Sequence, residues 1–349
     1  MPVRRGLPEG RCCGKVCASV ALRSSNCRIT AILKPFIRAV ASRALNFGRC
    51  APFIVLLWPM FAHGVREYPL PEDGSDIVGD VFTVRAQHED TLVRLAREHG
   101  LGVQELSRAN PGVDPWLPGE GTEIRLPIAF VLPPGPREGV IVNLAEYRLY
   151  YFPPGEDRVL TAPVGIGRAA FRTPVLETRV TDRIEQPNWT PPASVREEYA
   201  RRGVELMRVV PPGPDNPLGE YALLLSAPGY LIHGTNQPFG VGTRVSHGCL
   251  RLYPEDIERL VWEIPVGTTV RIVHAPYKIG WNGDELVMEA HRPLEEFEHE
   301  GLTVMVRELT RAGAGADEVV DWDLAEQVAR EARGVPVVVG TRRKLASAD

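Results

Sequence analysis

The stretch LIHGTNQPFGVGTRVSHGCLRL, residues 231–252, carries the densest chemical signal in the chain. It contains Cys249, the only cysteine beyond residue 50, together with His233 and His247. A thiol attacks a carbonyl carbon as its thiolate, so it needs a neighbouring base or positive charge. The combination predicts a cysteine nucleophile assisted by histidine, with a thiol pKa below the ordinary value of about 8.5.

Two other interpretations of these three residues stay open. They could bind zinc, although tetrahedral zinc needs a fourth ligand and His274 is the only candidate nearby. Cys249 could also be a small buried side chain without chemistry. The glycine-rich connection between the two histidines favours the catalytic interpretation, because glycines allow close backbone approach to a reacting group.

The residues on both sides of this stretch predict short strands separated by turns. The predicted strands are 140–152, 159–167, 176–182, 221–227, 230–235 and 268–274, and the predicted helices are 193–203 and 254–264. Regularly spaced short strands are typical of antiparallel sheets, so the predicted fold class is mainly β.

Residues 139–274 closely resemble the catalytic domain of bacterial L,D-transpeptidases. The signature of that family is a His-Gly pair, a spacer, and Ser/Thr-His-Gly-Cys followed by a hydrophobic residue and Asn or Arg. This chain has His233-Gly234 and, after the spacer, SHGCLR at 246–251. The resemblance continues in PNWTPP at 187–192 and NPLG at 216–219. It implies a β-sandwich-like catalytic domain.

The same resemblance implies a role for each signature residue. Cys249 would be the nucleophile and His233 the general base, with the main-chain carbonyl of Gly234 holding the histidine tautomer. Spacing alone does not choose between the two histidines as base. The other implied members of the catalytic set are His247, Ser246 and Gly248. The implied substrate-binding residues are Arg251, Asn236 and Trp189. No acidic partner, metal or other cofactor is implied.

The implied reaction is peptidoglycan L,D-transpeptidation by a cysteine acyltransferase. The thiolate would attack the third residue of a tetrapeptide stem, release D-alanine and form a thioester. An amine on another stem, or on a wall-attached protein, would then take the acyl group. Two alternatives remain: an L,D-carboxypeptidase or hydrolase with water as acceptor, and a catalytically dead wall-binding protein.

Residues 80–128 predict a small β-α-α-β unit, with strands at 80–85 and 122–127 and helices at 91–100 and 102–110. This unit resembles a LysM module. The residues that match are Thr83-Val84-Arg85, Asp90-Thr91-Leu92, Asn110-Pro111 and Ile124-Arg125-Leu126-Pro127, whereas Glu89 stands where the family usually has Gly. The resemblance implies binding to the glycan strands of peptidoglycan. A structural domain without a ligand is the alternative.

Charge and cysteine content separate residues 1–64 from the rest of the chain. This segment carries ten Lys or Arg, one acid and five of the six cysteines. The remainder carries 30 basic and 43 acidic residues, which argues against nucleic acid as a partner. The apolar run at 51–62 is short for a membrane span and follows basic residues, which is typical of a signal peptide. We expect cleavage near Gly64, no stable membrane span afterwards, and a periplasmic or cell-wall protein.

The remaining segments carry no chemical signal. Residues 65–79 and 131–139 are predicted to be linkers because they are rich in proline, glycine and polar residues. Residues 275–311 are predicted to form an appended hairpin subdomain. Residues 312–349 are predicted to be a tail with a terminal helix.

Overall fold

The computed structural model describes residues 64–313 and 318–342. Residues 1–63, with most of the predicted signal peptide and five of the six cysteines, lie outside this part, as does the end of the predicted tail. None of the described helices is long and apolar enough to cross a membrane.

The helices and strands are short, but the single strand predicted at 140–152 is two strands joined by a turn at 144–147. The strands are β1 (Arg66–Pro69), β2 (Ile77–Arg85), β3 (Glu123–Val131), β4 (Gly139–Asn143), β5 (Arg148–Phe152), β6 (Arg158–Pro163), β7 (Ile166–Gly167), β8 (Leu176–Glu185), β9 (Tyr221–Leu225), β10 (Leu231–His233), β11 (Arg244–Ser246), β12 (Leu250–Arg251), β13 (Thr269–Val273), β14 (Tyr277–Asn282), β15 (Glu285–Ala290), β16 (Glu318–Val320) and β17 (Val337–Arg342). The α-helices are α1 (Leu92–Glu98), α2 (Val103–Ala109), α3 (Ala193–Arg201), α4 (Pro254–Glu263), α5 (Gly301–Gly313) and α6 (Trp322–Glu331). Short 3-10 turns lie at Pro238–Gly240 and Glu295–Glu300.

The largest sheet has nine strands in the order β1-β6-β5-β4-β13-β8-β9-β10-β12. Most neighbours are antiparallel, but β13 runs parallel to β4 and β12 runs parallel to β10. Helix α4 packs on one face, where Ile257 and Leu260 share a core with Val142, Leu223 and Ile232. The prediction of a mainly β fold is confirmed.

Part of the predicted linker at 65–79 is a strand of this sheet. β1 pairs antiparallel with β6 at the sheet edge, with Arg66 opposite Thr161. Residues 77–79 belong to β2. The linker prediction was therefore wrong for these residues. Four residues ending in a proline are too few to show a strand period, and the pairing partner lies far along the chain.

Residues 77–131 fold as a hairpin of β2 and β3 with α1 and α2 packed against it. Leu92 and Leu106 of the two helices share a core with Tyr150 of the large sheet. A fully buried ion pair, Arg148 Nη2 to Glu105 Oε2 at 2.7 Å, crosses the same contact. This unit is therefore packed on the nine-stranded sheet rather than suspended from it by a linker.

The predicted hairpin at 275–311 and the predicted tail share one sheet. Its strand order is β14-β15-β17-β16. Met288 of β15, Leu309 of α5 and Ala325 of α6 lie in one core cluster. The structure thus differs from the prediction of two separate segments, because β17 pairs with β15 across more than forty intervening residues.

A buried cluster of charged residues joins this C-terminal sheet to the rest of the protein. The Lys278 ammonium lies 2.8 Å from Glu146 Oε1 and 2.9 Å from Glu289 Oε1. His291 lies 2.6 Å from Glu289, whose other oxygen accepts the N–H of Val131 at 2.7 Å. The two carboxylates and the imidazole are close enough to hold a metal ion, but the lysine already supplies a positive charge between the carboxylates.

Candidate active site

Two parallel strands set the predicted base beside Arg251 and lead the predicted nucleophile toward the same face. Ile232 of β10 is in register with Leu250 of β12, and His233 is in register with Arg251. Ile232 and Leu250 are buried in the core beneath the sheet. Because side chains alternate along a strand, His233 and Arg251 face the opposite side. Cys249 directly precedes β12 and shares that side with Arg251.

The turn before β12 is shaped by Ser246 and Gly248. The N–H of Gly248 donates to Ser246 Oγ at 3.1 Å, and the Ser246 hydroxyl donates to the carbonyl of Cys249 at 2.5 Å. Gly248 has φ +109°, and a Cβ there would lie 3.1 Å from the ring of Tyr230. Only glycine adopts this conformation without strain, so both residues act by positioning the thiol-bearing backbone.

His233 is buried and held through its Nδ1 atom. This nitrogen lies 2.6 Å from the carbonyl oxygen of Gly234, as the resemblance implied. A carbonyl can only accept, so Nδ1 carries the proton and Nε2 keeps a lone pair. Burial and the nearby charge of Arg251 lower the pKa of His233 to about 3. The imidazole is therefore neutral at neutral pH, the form that a general base requires.

The Cys249 thiol is half-buried, and its Sγ donates to the carbonyl of Gly229 at 3.6 Å. Burial raises the pKa of this thiol above its ordinary value. A backbone hydrogen bond from Leu231 and the charge of Arg251 oppose that rise without cancelling it. The prediction of a lowered pKa was therefore wrong for the free enzyme. Burial thus favours a neutral thiol at Cys249 and a neutral imidazole at His233 in the resting state.

His247 has an acidic neighbour that sequence reasoning missed. Its Nε2 lies 3.0 Å from Oε2 of Glu198 on α3, and the same oxygen accepts from Arg168 Nη2 at 2.7 Å. Hydrogen bonds from Arg168 and then from His247 lower the pKa of Glu198 to about 2. Phe171 packs on the His247 ring at 4.6 Å between centroids. Glu198 is 49 residues from His247, so no local pattern could have paired them.

A pocket of about 390 Å³ opens beside these residues. It brings together all three predicted substrate-binding residues and the predicted catalytic His247; its lining includes Trp189, Asn236, Arg251 and His247. Residues that the sequence did not single out complete it, among them Tyr199, Leu206, Met207, Val210 and Asp215. Most of this wall belongs to the long connection between β8 and β9, which contains α3.

Buried Asn216 explains why the NPLG motif lies within that connection. Its Nδ2 donates to the carbonyls of Pro187 at 2.7 Å and Pro211 at 3.2 Å. Its Oδ1 accepts the N–H of Leu218 at 2.9 Å. The asparagine thus joins the start and the end of the pocket wall. The backbone of the neighbouring Leu218 also forms a hydrogen bond with His233, and this bond tends to raise the pKa of the imidazole.

The predicted zinc alternative would require Cys249, His233, His247 and His274 to converge. In the structure, the ring of His274 instead stacks on Phe297 at 4.1 Å between centroids and accepts the N–H of Leu294. Within the described ranges, the one group of side chains spaced for a metal ion is the Lys278-bridged cluster of the C-terminal junction. The arrangement around Cys249 is suited to acyl transfer, with a thiol, a neutral base and a cation on one face.

Comparison with known proteins agrees with this geometry. Residues 137–272 match the YkuD family model, which describes the L,D-transpeptidase catalytic domain. The chain is 43% identical over 267 residues to the probable L,D-transpeptidase YcfS of Escherichia coli K12, covering 74% of this chain and 82% of that protein. It is 40% identical over 301 residues to the probable L,D-transpeptidase ErfK/SrfK of Salmonella typhimurium, covering 84% and 96%. It is also 40% identical to the probable L,D-transpeptidase YbiS of Escherichia coli K12, covering 77% and 90%. With similarity of this extent over most of both chains, the protein belongs to the L,D-transpeptidase family.

Proposed function

We propose that this protein is a peptidoglycan L,D-transpeptidase with Cys249 as nucleophile and His233 as general base. The observation that carries the proposal is the parallel register of β10 and β12, which pairs His233 with Arg251 of the pocket lining and puts Cys249 two residues before that arginine. A neutral base next to a thiol can accept its proton as the thiol attacks.

The first half-reaction forms a bond from Cys249 Sγ to the carbonyl carbon of the third stem residue. The thiol proton passes to His233 and then to the nitrogen of D-alanine, as the carbon–nitrogen bond breaks. In the second half-reaction an amine attacks the thioester and loses its proton to His233. The carbon–sulfur bond breaks, and the thiol is restored. Because both resting groups are neutral, this proton transfer accompanies attack instead of preceding it.

Arg251 is the proposed recognition group for a stem carboxylate. It lines the pocket, and its buried Nε has no hydrogen-bond partner among the residues that the structure describes. A guanidinium binds a carboxylate through two parallel hydrogen bonds. Trp189 and Asn236 line the same pocket and contact the rest of the stem in this proposal.

The acceptor in this proposal is the amine of a second stem peptide, which gives a cross-link. A wall-attached protein offers the same chemical group, whereas water would give a carboxypeptidase. Incubation of the protein with purified disaccharide tetrapeptides, followed by mass spectrometry, tests all three. We expect cross-linked dimers and free D-alanine from the wild type and neither from Cys249→Ala. Tripeptide product without dimers would instead identify the hydrolase.

The unit at 80–128 is proposed to be a LysM module that binds glycan strands. The observed β2-α1-α2-β3 order supports this proposal, as does the indole of Trp116, which is 66% exposed. Trp116 lines a pocket of about 460 Å³ together with Phe239 and Tyr253 of the catalytic part. Exposed aromatic rings of this kind stack on sugars. Trp116→Ala should therefore weaken sedimentation with purified sacculi, whereas Trp322→Ala, which removes a partly exposed indole on α6, should not.

The proposed site of action is the periplasm or the cell wall, since peptidoglycan lies there. The basic, apolar character of residues 1–64 supports export with cleavage near Gly64. Fractionation of cells that produce the tagged protein should find it outside the cytoplasmic membrane. A protein retained in the cytoplasm would contradict the export proposal and leave the chemistry of the site untouched.

A further inference from the structure

Asp256 is a buried carboxyl group that has no side-chain hydrogen-bond partner in the described part of the chain. It is the third residue of α4, it is fully inaccessible to solvent, and neither oxygen has a hydrogen-bond partner among the described residues. Burial raises the pKa of this carboxyl well above its ordinary value. A buried charge without a partner is costly, and such groups are normally paired with a cation.

The cations nearest to Asp256 are engaged elsewhere. Arg97 binds Glu255 at 2.7 Å, and Arg148 binds Glu105 at 2.7 Å. Each guanidinium thus already has its own carboxylate. The start of α4 adds a weak positive potential from its free N–H groups, which favours an anion there but does not neutralise one. The Asp256 carboxylate is therefore complementary to one further cation.

The chain passes directly over this carboxylate at Gly64. A Cβ built on Gly64 would lie 1.9 Å from Asp256 Oδ1, so the backbone touches the carboxylate and tolerates no side chain. The Gly64 carbonyl packs as closely against Gly100, where an added Cβ would be 2.2 Å away. Val65 follows with its side chain buried in the main core. The region where cleavage is expected is thus held against a buried carboxyl group that has no hydrogen-bond partner among the described residues.

We propose that Asp256 binds the α-ammonium group created when proteolysis removes the segment ahead of Val65. Cleavage after Gly64 adds water across the peptide bond, leaves a carboxylate on the released segment and frees an amine at Val65. That nitrogen is two bonds from the Gly64 Cα that now touches Asp256. An ammonium carries one positive charge and three donors, so it can satisfy both oxygens, which a peptide N–H cannot.

This site rests on the proposed export, because it needs a cleavage that export would supply. The proposed contact between the Val65 ammonium and Asp256 would stabilise β1, which follows Val65 and pairs with β6 at the edge of the nine-stranded sheet. The same contact would fix the start of α4, the helix that follows β12 and the active-site turn. Among the described residues, the unprocessed chain offers this carboxyl no partner, whereas in the proposal the processed chain supplies one. Maturation would therefore stabilise the catalytic part.

Four proteins test the proposal by a thermodynamic cycle. The chain that begins at Val65 is compared with the same chain retaining Ala62-His63-Gly64, each with Asp256 or with Asp256→Asn. In the processed form, Asp256→Asn should lower the melting temperature by about 4 °C or more. In the extended form the same change should be neutral or stabilising, since the carboxyl group there has no cationic partner to lose. Asp323→Asn, an exposed first-turn aspartate of α6, is the matched control.

A second readout does not depend on stability. The α-amine of the processed protein should resist acetylation by acetic anhydride when Asp256 is present, and should react several-fold faster in Asp256→Asn. An equal melting shift in both forms, or an equally reactive α-amine, would overturn the proposal. So would mass spectrometry of the exported protein showing a terminus beyond Arg66. Both readouts need no turnover, so a failure here is separate from a failure of the transpeptidase assay.

Discussion

Glu198 Oε2 lies 3.0 Å from Nε2 of His247, which ties helix α3 to the turn that carries the nucleophile. Arg168 binds the same oxygen, and Arg202 binds the other oxygen of the carboxylate at 2.7 Å. The wall of the pocket and the catalytic motif are therefore joined by one carboxylate. Two of the predictions below follow from this contact.

Glu198→Gln should lower kcat/KM by about 10-fold, because a hydrogen-bonded charge is lost from the contact between α3 and His247. Cys249 and His233 are untouched, so thioester formation should slow without being abolished. Steady-state assays on muropeptides would measure this change. Glu197→Gln, on the adjacent exposed position of α3, should behave like the wild type. Equal activity of both variants would show that α3 is held by other contacts.

The same carboxylate should contribute stability with a defined pH dependence. The folded-state pKa of Glu198 is about 2, below the ordinary 4.5. Its stabilising effect is therefore fully present above pH 4.5 and is lost as the pH falls through about 2. Urea unfolding of the wild type and Glu198→Gln should differ at pH 6 and converge toward pH 2. A constant difference across that range would contradict the assignment.

Cys249→Ala should reduce turnover by about 1,000-fold or more, because no other described side chain on the face of β12 can form the thioester. Cys249→Ser should lose nearly as much, since a hydroxyl is a poorer nucleophile beside a weak base. Intact-mass spectrometry should detect an acyl adduct on the wild type and none on the alanine variant. Unchanged melting temperatures would show that the fold is retained, and product at the wild-type level from Cys249→Ala would refute the nucleophile.

In the pH profile of kcat/KM, the acidic fall in activity should occur far below the ordinary pKa of a histidine. The pKa of His233 is about 3, so its imidazole stays neutral, and able to accept a proton, down to that pH. Activity should then persist at pH 5, where a solvent-exposed histidine, with its ordinary pKa of 6.5, would be mostly protonated. A pH profile between 3 and 8 would test this. An acid limb near 6.5 would mean that the base is more solvated than His233 is in this structure.

Arg251→Ala should impair the site in two measurable ways. The positive charge lowers the pKa of the Cys249 thiol against the effect of burial, so its removal should slow iodoacetamide alkylation at a fixed pH. The loss of a carboxylate partner should also lower kcat/KM by about 10- to 100-fold. Arg179→Ala, an exposed arginine on β8, is the control. Unchanged alkylation together with lowered kcat/KM would limit Arg251 to substrate binding.

Arg148→Met should destabilise the protein by about 3 kcal/mol or more, because it leaves Glu105 charged and buried without its partner. The double variant Arg148→Met with Glu105→Leu should recover much of that loss, since no unpaired charge remains. Urea unfolding of the two variants measures both effects. A double variant as unstable as the single one would show that the ion pair has little part in the contact of the 77–131 unit.

The sequence by itself determined the chemistry of the site and the kinds of elements around it. The single cysteine beyond residue 50, with two histidines and a glycine-rich spacer, indicates a nucleophilic site because those groups are chemically specific. Short alternating segments indicate a mainly β fold, because a strand has a period of two. The His233–Gly234 contact follows from the signature since the two residues are adjacent in the chain. Each of these inferences depends on residues close together in sequence.

Only the tertiary structure decided the features that join distant segments. Glu198 meets His247, β1 completes the edge of the sheet, and Asp256 lies against Gly64 through contacts that no local period encodes. The tertiary structure also decided the direction in which the pKa of Cys249 shifts. Residue types suggested activation by nearby positive charge, but the thiol is desolvated by its surroundings. Desolvation is set by everything packed around a group, so it appears only once the chain is folded.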